Sequence, residues 1–316
     1  MSRTGVVVVT YNSEDVIGQC LDACAFLPAV VVDNASQDNT IEEVRKRPAV
    51  QLIANASNRG FAAAVNQGTA ALGTEFVLLV NPDVTLQTGV TELETSCSQS
   101  GAAMATGKLL SISGSVQRGF SVRKLPTPAI LAFEVLGLNR LFPWNWLNRS
   151  YRCLDFEFAA QAYVEQPPGA FLLFRREIWK RLGGFDEQFH PLWFEDVDFC
   201  KRARDLNYKC VYVPSVSAVH RGAHSIGKLD WNYRELCWYV SLLKYASKHF
   251  RRYAFRGLSA AVVLGSVFRV VTGMIQKRSL KPVYVYARVL RLAMVCMASG
   301  RMQEAGSLPG YSKALG

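Results

Sequence analysis

Short apolar runs alternate with amphipathic stretches in the N-terminal part of the chain. Four runs rich in β-branched residues and bounded by turn-forming residues have the length of buried strands: 6–11, 30–32, 50–54 and 76–80. The helical periodicity between them predicts helices over 14–27, 40–46 and 60–72. Repeated β–α units of this spacing indicate an α/β fold with a mostly parallel sheet flanked by helices.

The pattern is less regular in the middle of the chain. Pro, Trp, Arg and Asn are mixed over 118–128 and 141–152, which predicts long loops of the kind that shape substrate sites. Regular elements return as a strand over 170–174, helices over 176–182 and 194–206, and a strand over 209–213. The first strand is not followed by G-x-G-x-x-G, and the sequence has no G-x-x-x-x-G-K-[S/T], so the two commonest nucleotide-binding motifs are absent.

Polar residues stand where three of the predicted strands end. Tyr11 and Asn12 end the first, Asp33 follows the second, and Asn81 and Asp83 follow the fourth. In a parallel sheet these ends share one edge, where such folds bind ligands. There Asp33 could accept the imide N–H of a pyrimidine, and Asp83 could hold a divalent metal against a diphosphate. For Asp83 alone, an Asx turn that caps the next segment explains the pattern equally well.

A predicted helix start lies between these strand ends in the sequence. It includes Asn58, Arg59 and Gly60. A helix N-terminus offers backbone N–H groups and a favourable dipole, and Arg59 adds a cation, so this segment is a candidate phosphate site. The crevice as a whole is therefore expected to take an anionic nucleotide.

A second group of candidate residues lies in the predicted helix 194–206. Glu195, Asp196 and Asp198 stand among aromatic residues that include Trp193. Desolvation by such neighbours raises a carboxylate pKa towards the range of a general base, although acids in a first helical turn also serve simply to complement the dipole. Of the four histidines, His220 is placed after the strand 209–213, in a loop, where it is either a metal ligand or an ordinary core or surface histidine.

The net charge of +11 is unevenly distributed. Residues 231–316 carry 14 Lys and Arg against two Glu, whereas residues 1–230 carry 22 against 23 acids. The tail is also rich in Trp, Tyr and Phe, and its apolar stretch 257–267 is too short to span a bilayer. This composition favours a helical tail that lies on an anionic membrane surface, with a solvated basic helix as the alternative. Nucleic acid is not an expected partner, because the tail has no groove-reading motif or basic repeat.

Two further observations concern the cellular location. The eight cysteines are scattered, without the spacing of a zinc site, and are expected to be reduced thiols. The chain begins without the apolar segment of a secretory signal. Both observations favour a cytoplasmic protein.

Taken together, six motifs resemble the family 2 glycosyltransferases, and most closely the rhamnosyltransferase branch that builds bacterial surface polysaccharides. The motifs lie at 6–13, 32–40, 58–61 with 66–68, 81–83, 183–187 and 195–198, so the resemblance covers about residues 5–225. It implies the GT-A fold, a Rossmann-like sheet flanked by helices. It also implies a nucleotide-sugar donor, Mg²⁺ or Mn²⁺, and inversion at the anomeric carbon.

The resemblance also assigns roles to residues. Asp33 would bind the pyrimidine base, Asp196 would be the catalytic base, and Asp83 and His220 would be the metal ligands. Asn81 stands where the family usually has an acid, which leaves Asp83 as the single carboxylate of the metal site.

Substrate contacts follow by the same analogy. Gly169 and Ala170 would line the donor-sugar side of the pocket. Trp193, Glu195 and Asp198 are candidate acceptor contacts, with ordering of the helix as the alternative for the two acids. The segment 190–193 departs from the family's usual aromatic pattern, and this departure bears on the acceptor.

The sequence thus predicts a GT-A domain over 1–230 and a basic, aromatic-rich, membrane-associating helical tail over 231–316. The expected activity is metal-dependent, inverting transfer of a sugar to a lipid-linked or polysaccharide acceptor on the inner face of the membrane, with dTDP-L-rhamnose as the expected donor. The alternatives are a catalytically silent, membrane-bound scaffold that keeps the nucleotide crevice, and a nucleotidyltransferase. The latter class usually has a Gly- and Arg/Lys-rich N-terminal loop, which 6–13 lacks.

Overall fold

The computed structural model of the protein describes residues 2–222, 227–277 and 280–302. The end of the predicted tail, 303–316, therefore lies outside the described residues. The strands are β1 (Thr4–Thr10), β2 (Ala29–Asp33), β3 (Gln51–Ala54), β4 (Phe76–Val80), β5 (Val84–Leu86), β6 (Met104–Leu110), β7 (Ala162–Val164), β8 (Phe171–Arg175) and β9 (Cys210–His220). The helices of the sheet-containing part are α1 (Ile17–Ala23), α2 (Thr40–Arg45), α3 (Phe61–Ala71), α4 (Thr91–Ser100), α8 (Arg176–Leu182) and α9 (Glu195–Asp205). The remaining helices are α5 (Pro128–Val135), α6 (Leu138–Leu141), α7 (Trp146–Tyr151), α10 (Trp231–His249), α11 (Arg252–Lys277) and α12 (Lys281–Ser299).

One mixed sheet organises the first part of the chain. Its strand order is β3-β2-β1-β4-β8-β6-β9-β5, with β7 paired to β9. The first four strands are parallel to one another, as the sequence predicts, but β8 is antiparallel to β4 and β6, and β9 is antiparallel to β5 and β7. The α/β class is confirmed, but the parallel arrangement is confined to these strands and the β6–β9 pair. The direction of a fully apolar strand such as β8 cannot be read from its pattern, because both of its faces are buried.

The helix α3 lies close against the sheet. Its residues Ala62–Val65 and Gly68 are buried. A Cβ at Gly68 would lie 2.6 Å from Cγ1 of Val7 in β1, so only glycine fits at this crossing. At the start of α3, Asn34 Nδ2 donates to the Gly60 carbonyl oxygen at 3.2 Å, which places this end of the helix beside the end of β2.

The strand β9 is longer than predicted. The sequence predicts that it ends at Val213, before Pro214, and that His220 lies in a loop. The predicted position of His220 is wrong, because the strand continues to His220. The pairing with β6 shifts between Gly107 and Lys108, whose partners are Val213 and Ser217. Pro214 falls in this bulge, where no ladder hydrogen bond requires an N–H.

The chain forms two compact units. The first comprises the residues up to Leu125 with Ser150–Lys228, and the second comprises Pro126–Arg149 with the residues from Leu229 onward. Of the two segments predicted as loops, 141–152 contains the helix α7, whereas α5 begins at the last residue of 118–128 and α6 ends at the first residue of 141–152. The prolines there suggested loops, but Pro128 is at the start of α5, where proline is favourable, and Thr127 caps the helix by accepting the Ile130 N–H.

The tail helices are longer than the apolar run 257–267. Within the described residues, two of them are long and apolar enough to cross a membrane, by length and composition only: Arg252–Ile275 and Lys281–Ser299. The apolar stretch 257–267 is therefore part of a longer helix whose length would reach across a bilayer. The apolar run ends before Arg269, but the helix continues to Lys277, and the Arg269 guanidinium donates to the carbonyl oxygens of Glu134 (3.1 Å) and Val135 (3.5 Å) within the second unit.

Candidate functional site

The ends of β1, β2 and β4 form one edge of the sheet. Tyr11 and Asn12 follow β1 and are partly exposed, Asp33 ends β2, and Asn81 follows β4. The Asn81 N–H donates to the Ala170 carbonyl oxygen at 3.2 Å, which ties the end of β4 to the segment that precedes β8. Since β2, β1 and β4 are neighbouring parallel strands, their carboxyl ends lie at the same edge of the sheet, as predicted.

Asp33 orders the loop that follows it. Its Oδ1 accepts from Thr10 Oγ1 (2.8 Å) and Ser36 Oγ (2.5 Å), and its Oδ2 accepts the Ser36 N–H (2.9 Å). Asp33 is fully buried, and three of the roughly four acceptor positions of a carboxylate are used. Its contact with a pyrimidine base stays a prediction, and the structure gives it the additional role of shaping this end of the crevice.

Asn12 joins the loops after β1 and β2. Its N–H donates to Ser36 Oγ and its Oδ1 accepts the Gln37 N–H, both at 2.8 Å. Its backbone has a φ of 51°, in the left-handed region that asparagine tolerates better than most residues. Lys228 donates to the Asn12 carbonyl oxygen at 2.7 Å, so a cation lies at this end of the edge.

The predicted phosphate site at the start of α3 is partly occupied by the protein itself. The Gly60 N–H donates to Asn58 Oδ1 at 2.9 Å, and the Phe61 N–H donates to the Pro191 carbonyl oxygen at 2.8 Å. Two of the N–H groups expected to face a phosphate are therefore used internally. Arg59 is exposed and remains the candidate cation of this segment.

Asp83 and His220 lie together although 137 positions separate them in the numbering. Asp83 immediately precedes β5, whose Val84 pairs with His220 of β9. Asp83 Oδ1 and His220 Nε2 are 3.6 Å apart, and both side chains are 5% exposed. Asp83 Oδ2 also accepts the Gly222 N–H at 3.0 Å. The structure thus brings the two predicted metal ligands to one place.

Gln117, which the sequence analysis does not identify, sets the proton position on His220. Its Nε2 donates to the His220 carbonyl oxygen at 2.7 Å, so its Oε1 is the atom that faces His220 Nδ1, at 3.0 Å. An oxygen in this position accepts, so Nδ1 carries a proton. Burial lowers the pKa of His220 and favours the neutral ring, while the charge of Asp83 acts in the opposite direction. In the neutral ring, Nε2 presents a lone pair towards Asp83.

A lone pair and a carboxylate that face each other suit a cation placed between them. One imidazole nitrogen and one carboxylate are acceptable ligands for Mn²⁺ or Mg²⁺, and substrate oxygens commonly complete such a shell. Among residues 2–222, 227–277 and 280–302, no cluster of three or more His, Cys, Asp or Glu could hold a metal ion. The chemistry of the donor set therefore fits a divalent ion that is bound together with an anionic substrate.

Asp196 lies in the first turn of α9. Its Oδ2 accepts the Gly169 N–H (2.9 Å) and its Oδ1 accepts the Val197 N–H (2.8 Å). The side chain is held but the residue remains partly exposed. Burial raises the pKa of Asp196, although the two N–H groups and the charge of Arg123 act in the opposite direction. A fixed carboxylate with a raised pKa and an open side can accept a proton from a substrate.

Glu195 and Asp198 have different surroundings on the same helix. Asp198 is fully buried and forms an ion pair with Arg202 at 2.6 Å. The interpretation of Asp198 as an acceptor contact is therefore corrected: its carboxylate orders α9. Glu195 is 7% exposed, and its Oε2 has no hydrogen-bond partner within the described part of the chain. Burial, and then the charge of Asp196, raise the pKa of Glu195 well above its usual value.

The segment 117–123 connects the two groups of candidate residues. The ring of Phe120 stacks on His220 with centroids 5.0 Å apart, and the Arg123 guanidinium lies 5.6 Å from the centroid of Phe120. Arg123 in turn acts electrostatically on Asp196. Most of this segment is predicted from sequence as a loop, and it contains no recognisable motif. Its position between the Asp83–His220 pair and Asp196 is visible only in the folded structure. Trp193 is partly exposed and precedes the helix with a φ of 76°.

Comparison with known sequences identifies a family. The family described as "Glycosyltransferase like family 2" matches residues 2–253. An N-acetylglucosaminyl-diphospho-decaprenol L-rhamnosyltransferase of Mycobacterium tuberculosis is 30% identical over 242 residues, which are 71% of this chain and 77% of the relative. The low-salt glycan biosynthesis hexosyltransferase Agl10 of Haloferax volcanii is 22% identical over 68% of this chain and 66% of its own length.

Solved structures show the same fold at low identity. TarS of S. aureus matches with a TM-score of 0.50 and 14% identity, over 98% of both chains. The mannosyltransferase PcManGT of Pyrobaculum calidifontis, solved with GDP-Man and Mn²⁺, matches with a TM-score of 0.50 and 18% identity, over 94% of this chain and 87% of its own. These likenesses support the GT-A architecture of the sheet and its helices.

Proposed function

Because the chain belongs to the family 2-like glycosyltransferases, we propose that it transfers a sugar from a nucleotide-sugar donor to a hydroxyl group of a lipid-linked acceptor, with inversion at the anomeric carbon. The observation that carries the mechanism is the position of Asp196. It is fixed by two N–H groups, partly exposed, and linked through residues 117–123 to the Asp83–His220 pair.

In the proposed reaction, Asp196 accepts the proton of the acceptor hydroxyl. The hydroxyl oxygen forms a bond to the anomeric carbon from the face opposite the diphosphate. The bond between that carbon and the diphosphate oxygen breaks, and its electron pair leaves with the nucleoside diphosphate. A single displacement of this kind inverts the anomeric centre and needs no covalent intermediate on the enzyme.

Asp83 and His220 would hold Mg²⁺ or Mn²⁺. When bound, such an ion offsets the negative charge that grows on the leaving diphosphate. Asp83 supplies the carboxylate, His220 supplies Nε2, and Gln117 keeps the imidazole in the tautomer that leaves Nε2 unprotonated. Gly169 and Ala170, which contact Asp196 and Asn81, line the donor-sugar side in this proposal.

We propose dTDP-L-rhamnose as the donor and a diphosphate-linked lipid as the acceptor. The support is the 30% identity to the mycobacterial rhamnosyltransferase, whose name specifies a diphospho-decaprenol acceptor. We further propose that the enzyme works on the cytoplasmic face of a membrane, held there peripherally by its basic second unit. The charge of residues 231–316 and the two long apolar helices support this location.

The test is turnover with a panel of donors and a lipid-linked acceptor, followed by the nucleoside diphosphate released. We expect release with dTDP-L-rhamnose and Mg²⁺ or Mn²⁺ but not with UDP-N-acetylglucosamine. The D196N variant should lose about 10²-fold or more in kcat, as expected for removal of a general base, while donor affinity changes little. The wild-type rate should rise with pH through the raised pKa of Asp196, and this limb should disappear in D196N.

The matched control is D205N, at the exposed end of the same helix, which should keep wild-type turnover. Unchanged kcat in D196N would remove Asp196 as the base. A wild-type protein that binds donor but releases no diphosphate with any acceptor would instead support the silent scaffold.

A further inference from the structure

A short segment of the second unit exposes an unusual amount of apolar surface. It is the aromatic loop, Leu141–Trp146, between α6 and α7. Its side chains are exposed by 69% at Leu141, 64% at Phe142, 71% at Trp144 and 75% at Trp146. Single exposed apolar residues are common, but a contiguous group of this size marks a surface that meets another apolar phase.

The same loop keeps its polar groups turned inward. Asn145 donates its N–H and its side-chain Nδ2 to the Phe142 carbonyl oxygen, at 3.1 and 2.7 Å, and Asn148 donates to the Pro143 carbonyl oxygen at 2.6 Å. Asn145 also donates to Asn139 Oδ1 at 3.1 Å. Pro143 has no N–H to satisfy. Backbone groups bonded within the loop cost little when they leave water, so this loop can enter a low-dielectric layer.

A chain of hydrogen bonds connects the loop to the long apolar helix α11. Asn139 donates to Glu134 Oε2 at 2.8 Å, and Arg269 of α11 donates to the Glu134 carbonyl oxygen at 3.1 Å. The backbones also touch, since a Cβ at Gly265 would lie 2.1 Å from the Val135 carbonyl oxygen. The position of the loop is therefore fixed relative to α11, a candidate membrane-associating element.

We propose that the aromatic loop inserts into the headgroup layer of an anionic membrane. This inference rests on the proposed membrane association and adds a second contact that lies outside residues 231–316. Trp is favoured at the boundary between headgroups and acyl chains because its ring is apolar and its N–H is polar. Arg140, which is exposed, stands directly before the loop and complements anionic headgroups.

The experiment uses the full chain and vesicles of phosphatidylcholine with and without phosphatidylglycerol, some carrying brominated acyl chains. Wild-type protein should float with the anionic vesicles, and brominated lipid should quench its Trp fluorescence. The W144S/W146S variant should partition at least about tenfold more weakly, because it lacks the two exposed indole rings that would enter the membrane. The W144F/W146F variant should still bind but should lose most of the quenching.

The matched control is F26A/I112A, which removes two exposed apolar side chains of the first unit and should float like the wild type. Thermal unfolding and donor binding of each variant show whether it is folded. If the wild type does not float, the membrane association itself is wrong. If the wild type floats and W144S/W146S floats equally well, the membrane association stands and only the loop inference is wrong. If the wild type floats but brominated lipid does not quench its Trp fluorescence, the loop does not enter the membrane; this result also overturns the inference and points to a protein partner for the loop.

Discussion

The carboxamide of Gln117 decides which nitrogen of His220 carries the proton, and so which one faces Asp83 with a lone pair. The orientation of Gln117 follows from the His220 carbonyl oxygen, which accepts its Nε2. The Oε1 must then face Nδ1, and the other ring nitrogen is left towards Asp83. Outer-shell contacts of this kind orient a ligand and typically change metal affinity by about 10–100-fold when removed.

We therefore predict that Q117M weakens Mn²⁺ binding by roughly tenfold or more, because the His220 ring loses its orientation and its fixed tautomer. Q117E keeps an acceptor for the Nδ1 proton and should bind Mn²⁺ more tightly than Q117M. The measurement is a titration of Mn²⁺ by electron paramagnetic resonance in the presence of nucleoside diphosphate. A loss of thermal stability in Q117M with unchanged Mn²⁺ affinity would show that Gln117 is only a packing residue.

The residue scale also shows what the sequence can and cannot predict. Asp83 could be selected because it follows an apolar run, and the family resemblance pairs it with His220; the structure places the two side chains 3.6 Å apart. Gln117 could not be selected from the sequence, since it stands in an irregular segment. It contacts His220 at the end of β9, and the sequence does not predict that this strand continues past Pro214. The helical spacing predicts that Glu195 and Asp198 share a face, and both are buried there, whereas Asp196, about 100° away from Glu195, is partly exposed.

At the scale of elements, α9 is anchored by a buried ion pair. Arg202 donates to Asp198 Oδ2 at 2.6 Å and also to the carbonyl oxygens of Leu182 (2.8 Å) and Gly184 (2.9 Å). One side chain thus connects the middle of α9 to the end of α8. The first turn of α9 carries Asp196, so this anchor holds the proposed base against Gly169.

We predict that R202M lowers the free energy of unfolding by about 3 kcal/mol or more, because the buried Asp198 carboxylate loses the guanidinium that it pairs with and two carbonyl groups lose a donor. K201A breaks the exposed pair with Asp205 and should cost less than about 1 kcal/mol. Chemical denaturation of both variants provides the comparison. Equal losses in the two variants would show that burial of the Asp198–Arg202 pair does not matter.

The elements that the sequence fails to predict share a physical cause. Proline was treated as a breaker at Pro128 and Pro214, but one stands at a helix start and the other at a bulge. Proline ends an element where a neighbouring backbone group requires an N–H donor at that position, which proline lacks. In a sheet this neighbouring group lies far away in the sequence. The strands 76–80 and 30–32, whose signal is local and apolar, were predicted closely.

At the scale of the whole molecule, charge and apolar surface are concentrated in the second unit. Residues 231–316 carry a net charge of +12, and the exposed side chains of α11 include Phe268 at 67% and Ile275 at 71%. Electrostatic attraction acts over about 8 Å at physiological ionic strength and over about 3 Å at 1 M salt, whereas apolar contact does not depend on screening.

We predict that binding to anionic vesicles weakens as salt is raised but retains a salt-resistant part. R288E/R291E, which reverses two exposed charges of α12, should weaken binding at low salt and have little effect at high salt. R45E/K180E, the same change on the first unit, should not matter. Salt-independent binding of the wild type and both variants would contradict the electrostatic contribution.

Charge reversal is preferable to deleting the tail, because α5 packs against α11 and would lose this contact.

The interrupted second unit has a consequence for synthesis. Its first piece, Pro126–Arg149, leaves the ribosome before the whole of Ser150–Lys228, while its second piece starts only at Leu229. Domains generally fold as units, in the order in which their sequence is completed. We therefore expect the catalytic sheet to be finished first, with α5 and the aromatic loop waiting for α11. A nascent chain in this state would expose Trp144 and Trp146 of the aromatic loop before the basic helices are synthesised. These two side chains could then contact a nearby bilayer first.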